Sequence, residues 1–295
     1  MSAMRQKLDA KRRPIMQLSS DNYYSLEADR EYMSCSQFED FLSCEAAAVA
    51  KIRGKYEPKK SKAFLVGNYF HTAFEGPEAH ADFKEQNYEE IFTKQGKLRA
   101  DFERADMMIE AAMADEKIKQ LVDMPGENEK IMTGKLFGHY PWKIRLDKYI
   151  EKPRLILDWK TVASIRALEW SADEGAKVSF VRNFRYLFRA AVYIEIEKQF
   201  TGKDTDPAFW LACISKEDPP DKELVSLNHR QTLDYELEKV KEKIWRFSQI
   251  KAGRIMPKRC GHCAYCRATK QVHGVISFFD LDDPAGIEKE DDYAL

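Results

Sequence analysis

The sequence contains no uninterrupted apolar run of about 18 residues, the length a membrane-spanning helix needs, and residues Met1 to Ser20 are polar and basic with no leader-like apolar stretch. A soluble, cytoplasmic protein with no membrane partner is expected. No Gly-x-x-x-x-Gly-Lys-[Ser/Thr] occurs, which excludes a P-loop nucleotide motor. An excess of positive charge is also missing: 48 Lys and Arg stand against 49 Asp and Glu, a formal net charge of −1. No global field draws in a polyanion, so any nucleic-acid contact must come from a local basic groove. No internal repeat is present.

What is present is a chain of 295 residues, 44 % hydrophobic and 12 % aromatic, enough to bury a sizeable core. Residues 1–32 lack periodicity and read as a flexible N-terminal arm, residues 33–278 as one folded domain, and residues 279–295 as a loose acidic tail. Ser36-Gln37-Phe38-Glu39 is a capping box, opening a helix that ends near Gly54 and carries Cys44. Further helices are expected over Ala63 to Phe74, with Phe64, Phe70 and Phe74 inward, over Lys97 to Val122 as one long element, over Phe184 to Phe200 and over Gln231 to Gly253. Strands are expected at Lys130 to Leu136, Trp142 to Ile150, Leu155 to Thr161, Phe209 to Ile214 and Leu224 to Leu227, with Ser164 to Glu174 a helix or turn. Strands with a helix interposed give an α/β fold, a central mixed sheet flanked by helices.

One stretch demands a chemistry. Ile144 to Thr161 reads as two short strands joined by a turn at Glu151-Lys152-Pro153, with Asp147 on the first and Asp158 on the second. Side chains alternate along a strand, so Asp158 and Lys160 share a face and Trp159 takes the other. Two carboxylates brought together are costly unless a cation sits between them, and a divalent metal does this well. Asp147, Asp158 and the carbonyl of Trp159 are therefore candidate ligands for Mg²⁺ or Mn²⁺. Lys160 is placed to orient, or help deprotonate, an attacking water, which makes this a phosphodiester-hydrolysis pattern.

Asp147, ten intervening residues and then Asp158-Trp159-Lys160 resemble the PD-(D/E)XK nuclease superfamily. Within it the chain is similar to the RecB-like branch, and most of all to the phage RecE-type (exodeoxyribonuclease VIII-like) group. Gly67-Asn68-Tyr69-Phe70-His71 fits that branch's Gly-x-x-x-His helix, and Arg189-Ala190-Ala191-Val192-Tyr193 stands where relatives carry Gln-x-x-x-Tyr, an arginine replacing the glutamine. The resemblance runs from about Ser34 to Arg267. It implies a restriction-endonuclease-like core, catalytic roles for His71, Asp147, Asp158, Lys160, Arg189 and Tyr193, and metal ligation through His71, Asp147, Asp158 and Trp159.

There are six cysteines: Cys35, Cys44, Cys213, Cys260, Cys263 and Cys266. Cys260-x-x-Cys263-x-x-Cys266 crowds three onto one loop of a chain expected in a reducing compartment, which argues for metal over disulfides. That leaves a tetrahedral site one ligand short, with Cys44, His262 and His273 as candidates for the fourth. Some RecB-like nucleases tie an N-terminal helix cysteine to three C-terminal ones through a [4Fe-4S] cluster. Cys44 with Cys260, Cys263 and Cys266 resembles that staple, and the shorter last spacing keeps zinc as the alternative.

The expectation is thus a Mg²⁺-dependent exodeoxyribonuclease acting on double-stranded DNA ends, 5′-to-3′, in phage or prophage recombination. A bacterial host cell, a single-strand annealing protein as partner and a homo-oligomeric ring follow from the resemblance alone. Two readings compete with it: a non-catalytic DNA- or protein-binding module on the same fold, and a nuclease of the CRISPR spacer-acquisition type.

Overall fold

The computed structural model describes residues 15–59, 61–272, 274–275 and 277–279. The first fourteen residues of the expected arm, His273 and nearly all of the expected acidic tail lie outside the described residues. The chain divides into two compact units, Met1–Cys35 with Pro58–Ile244 and Ser36–Glu57 with Trp245–Leu295. The helices are α1 (Leu26–Glu31), α2 (Cys35–Ser43), α3 (Glu45–Ile52), α4 (Lys62–Glu75), α5 (Pro77–Gln86), α6 (Tyr88–Ile91), α7 (Ala100–Met113) and α8 (Glu116–Asp123). They continue with α9 (Phe180–Asn183), α10 (Tyr186–Thr201), α11 (Arg230–Lys251) and α12 (Ala264–Ala268). None of the described helices is long and apolar enough to cross a membrane.

The first unit is built on β1 (Glu127–Leu136), β2 (Tyr140–Ile150), β3 (Leu155–Val162), β6 (Ala208–Ser215) and β7 (Lys222–Ser226), hydrogen-bonded in the order β1-β2-β3-β6-β7. β3 and β6 run parallel and the other neighbours antiparallel, so the sheet is mixed, as expected. A parallel pair needs a long crossover. Here it carries a two-stranded ribbon, β4 (Leu168–Ser171) and β5 (Ala176–Ser179), then α9 and α10.

Because β3 is covered on both faces, its first five residues are all buried. Leu155, Leu157 and Trp159 point one way, into a core with Phe70 and Phe74 of α4, Met108 of α7, and Ile118 and Leu121 of α8. Trp159 stacks on Phe74 with ring centroids 4.2 Å apart. The other face receives α10. A Cβ on Gly134 of β1 would come within 2.9 Å of Ile196 and Gln199, so glycine there lets helix and sheet close up. Glu197 of α10, fully buried, accepts hydrogen bonds from the Tyr149 hydroxyl (2.6 Å) and Arg154 Nε (2.9 Å).

Several local expectations change. The single helix over 97–122 breaks before α8, where the Asp115 carboxylate caps the new helix by accepting from the amides of Lys117 and Ile118 at 3.0 Å. Ser164 to Glu174 holds strand β4, too short to show a period, and then a turn from residue 172 on, the second of the two forms expected there. The polar stretch after Gly76 forms α5 and α6. Phe64 lies in the first turn of α4 and is exposed. Part of the stretch read as an arm is folded: it carries α1, Tyr23 and Ala28 are buried, and the Tyr32 hydroxyl donates to Met16 O at 2.8 Å.

In the second unit the helix expected to run through Cys44 is instead two helices. Cys44 adopts an extended backbone (φ −165°, ψ 109°) between α2 and α3. Phe247 of α11 packs on Phe38 and Phe41 at 5.1 Å, and Arg246 donates to both carboxylate oxygens of Glu45 at 2.7 and 2.8 Å.

Candidate active site

The β2–β3 ladder pairs Ile150 with Leu155, Tyr149 with Ile156 and Lys148 with Leu157. There the ladder ends; its register carried one step further sets Asp147 opposite Asp158, on the α10 face of the sheet. The Asp147 carboxylate takes the place of a strand carbonyl: its Oδ2 accepts the Trp159 amide at 2.8 Å. His71, near the C-terminal end of α4, places Nδ1 3.2 Å from the same oxygen. Lys160 pairs with Asp158 Oδ2 and donates to the Trp159 carbonyl at 3.0 Å. Four side chains from three elements therefore converge, with Trp159 contributing only its backbone.

The two carboxylates experience opposite fields. Burial raises the pKa of Asp147, but the charges of His71 and Lys160, with hydrogen bonds from His71 and the Trp159 amide, outweigh it and hold the group well below the usual carboxylate range. Burial also raises Asp158; Lys160 opposes this and the Asp147 charge adds to it, leaving a net rise. Burial pulls Lys160 down, yet the two acids overcome that and hold it protonated. Asp158 Oδ2 is buried and, apart from its ion pair with Lys160, lacks a well-formed hydrogen bond.

Arg189 and Tyr193 both lie on α10. Arg189 is half-buried, and its charge acts on Tyr186 and Tyr193. Tyr193 is set against the core, 6.0 Å from the Phe209 ring, and burial pushes its hydroxyl far up, so it stays neutral. Two further neighbours stand at the site: Tyr186, which the sequence places on the same side of its helix as Arg189 and Tyr193, and Glu129, which the sequence does not single out. Tyr186 lies one turn before Arg189 with its ring 5.5 Å from Lys160 Nζ, and burial raises its pKa. Glu129 of β1 falls between the pairs Asn128–Lys148 and Lys130–Leu146, opposite Asp147. Its backbone is left-handed (φ 54°), unusual for a non-glycine residue, and it pairs with Arg145 at 2.5 Å. Burial, then the charges of Asp147 and Glu75, push its carboxyl up to about 7 against the pull of Arg145. A non-glycine residue with positive φ inside a strand has no sequence signature.

The other cluster lies in the second unit. Cys44, Cys260, Cys263 and Cys266 place their sulfurs within 4.8 Å of one another, and neither Cys35 nor His262 joins them.

A family model described as a PDDEXK-like domain of unknown function matches residues 34–269. The chain belongs to this PDDEXK-like family. A crystal structure from Eubacterium rectale, of a protein described as a "putative exonuclease", superposes with a TM-score of 0.82 at 38 % identity, over 90 % of this chain and 98 % of that one. A second structure, SSO0001, aligns at 12 % identity with a TM-score of 0.26 over 78 % of this chain and 92 % of that one, too low to carry weight. No curated protein matches the chain. The PDDEXK-like fold accounts for the mixed sheet with an acid on each of two adjacent strands.

Proposed function

We propose that the chain is a metal-dependent DNA exonuclease that hydrolyses phosphodiester bonds from duplex ends. The observation that carries this is the register-opposed pair Asp147 and Asp158, with Lys160 and His71 closing around it. The Eubacterium rectale relative, described as an exonuclease, supports action at ends.

The residues present fit a hard divalent ion. A buried and a half-buried carboxylate converge, Asp158 Oδ2 has no partner besides the Lys160 ammonium, and a main-chain carbonyl lies alongside; such oxygen donors suit Mg²⁺ or Mn²⁺. Asp147, Asp158 and the Trp159 carbonyl would hold it, with His71 as a ligand or as the group that positions the scissile phosphate. Bound there, it would polarise a phosphoryl oxygen and lower the pKa of the attacking water.

The chain's own groups supply the rest. Lys160, ion-paired with Asp158, orients the water and stabilises charge growing on the phosphoryl oxygens. Tyr186 covers the Lys160 ammonium and limits its contact with solvent. Arg189 offers a planar, permanently charged contact for a backbone phosphate, where relatives use an amide. Tyr193 packs α10 against Phe209 of β6. By resemblance to the RecE-type group we extend the reading to 5′-to-3′ resection in phage-type recombination, with a single-strand annealing partner and a ring-shaped homo-oligomer.

Digestion of linear and covalently closed duplex DNA with Mg²⁺, beside Asp158→Ala and Lys160→Ala, tests this reading. Degradation of linear DNA alone, lost in both variants, is expected, and end-labelled substrates then give the polarity. Binding without cleavage would make the chain a binding module, and nicking of closed circles would make it an endonuclease.

A further inference from the structure

We propose that Cys44, Cys260, Cys263 and Cys266 hold a single structural zinc ion and not an iron–sulfur cluster. The sulfur separations decide between them. Cys44 Sγ lies 3.6 Å from Cys266 Sγ, Cys260 Sγ lies 3.9 Å from Cys266 Sγ, and all four sulfurs fall within 4.8 Å of one another. A tetrahedron with zinc–sulfur bonds of about 2.3 Å has sulfurs about 3.8 Å apart. In a four-iron cubane each thiolate points outward from its own corner, which sets the cysteine sulfurs roughly 6 Å apart. Every pair here would have to separate by more than an ångström to admit such a cluster. The cage has the size of one ion.

The surrounding backbone is built for thiolates at this spacing. The Cys263 amide donates to Cys260 Sγ at 3.3 Å and the Cys266 amide to Cys263 Sγ at 3.4 Å, so each turn of the Cys-x-x-Cys-x-x-Cys loop points an N–H at a sulfur. Gly261 supplies the left-handed residue (φ 78°) that the first turn needs. Cys266 and Cys44 are buried, and Cys260 and Cys263 half-buried. The break between α2 and α3 acquires a reason, since an unbroken helix would not give Cys44 the extended backbone that it has here at the cage.

Four protein ligands leave no position for water, so the ion is structural and takes no part in hydrolysis. It ties the α2–α3 segment to the loop after α11, two stretches of the second unit more than two hundred residues apart in sequence. Zinc has no accessible second oxidation state, so the staple responds to neither reductant nor oxygen through the metal, as a cluster would.

The test is elemental analysis of the full-length protein, purified without chelator from cells supplied with both iron and zinc. About one zinc per chain and no acid-labile sulfide are expected, with an X-ray absorption shell of four sulfurs at about 2.3 Å. Exchange for Co²⁺ should give the visible spectrum of a tetrahedral cobalt thiolate, and Cys44→Ser should lose the zinc and melt at lower temperature. Iron and sulfide in a roughly four-to-four ratio with brown colour would overturn the proposal. So would metal-free protein with all four thiols open to a thiol reagent. Both readouts come from wild-type protein, so a variant that fails to fold leaves the decision intact.

Discussion

Replacing Gly67 by alanine separates a glycine kept for the fold from one kept for a substrate. Gly67 lies inside α4, one turn before His71, and a Cβ built on it meets no other heavy atom within 4 Å. Nothing in the folded chain therefore requires glycine here. A glycine in a helix interior costs roughly 0.5–1 kcal/mol relative to alanine. With no clash to offset the gain, Gly67→Ala should be more stable by that amount, which for a chain of this size raises the melting temperature by about 1–4 °C. The bare surface beside His71 is where a DNA backbone would approach the two acids, and a methyl group there would hold it off. A fall of at least tenfold in kcat/KM, about 1.4 kcal/mol of transition-state stabilisation, is expected. Thermal melting and the rate of nucleotide release from end-labelled linear duplex give the two readouts. A variant that is more stable and fully active would show that no substrate passes over Gly67. One that is less stable would show that the open space is wrongly placed.

Lys160→Met and Asp147→Asn should each lower cleavage by about 10²–10³-fold while leaving DNA binding by gel shift in place, since both act on charge at the reacting phosphate; cleavage within tenfold of wild type would remove them from the chemistry. Glu129 carries a pH signature. Its folded-state pKa of about 7 stands above its ordinary 4.5, so the stability it contributes is full below pH 4.5 and lost as pH rises to 7, by at most about 3 kcal/mol. Glu129→Gln should flatten that slope in denaturant titrations in chelator-containing buffer; an unchanged slope would place the titration elsewhere. Arg154→Ala leaves the fully buried Glu197 with the Tyr149 hydroxyl but no cation, and a loss of about 3–5 kcal/mol in chemical denaturation is expected. A loss below 1 kcal/mol would mean that water reaches Glu197.

The strands and the acids on them were legible because β3 is an apolar run interrupted by charges that no buried strand would carry without a reason. The four-residue strand β4 was not legible, because two alternations do not make a period, and Leu168 and Trp170 on it are both exposed. The helix over 97–122 was misread for a different reason. Its apolar positions continue in phase across the break, and only the Asp115 cap, one residue among many acids, marks the new start. Cys44 shows the limit of local reading: the capping box before it favours one helix, and the cysteines that it faces, at 260–266, are more than two hundred residues away. Glu129 lay beyond reach because its place opposite Asp147 depends on the β1–β2 register.

The surroundings of the two aspartates, opposed one step past the end of the β2–β3 ladder, explain why they are driven in opposite directions. Asp147 receives a backbone amide and the His71 ring on one oxygen, so its charge is fixed whatever else enters the site. Asp158 has only the Lys160 ammonium, which it shares with the Trp159 carbonyl, and it faces the permanent charge of Asp147 across the ladder. Its ionised form is therefore the one in need of a further cation. A site with two equally satisfied carboxylates would gain little from a metal ion, and one with two unsatisfied carboxylates would protonate instead of binding it. One acid with its partners in place and one with a single cation leave the pair open to a further positive charge. Asp158 is thus the position where removing charge should cost metal affinity most and stability least, and Asp158→Asn should bind Mn²⁺ weakly while melting no lower than the wild type.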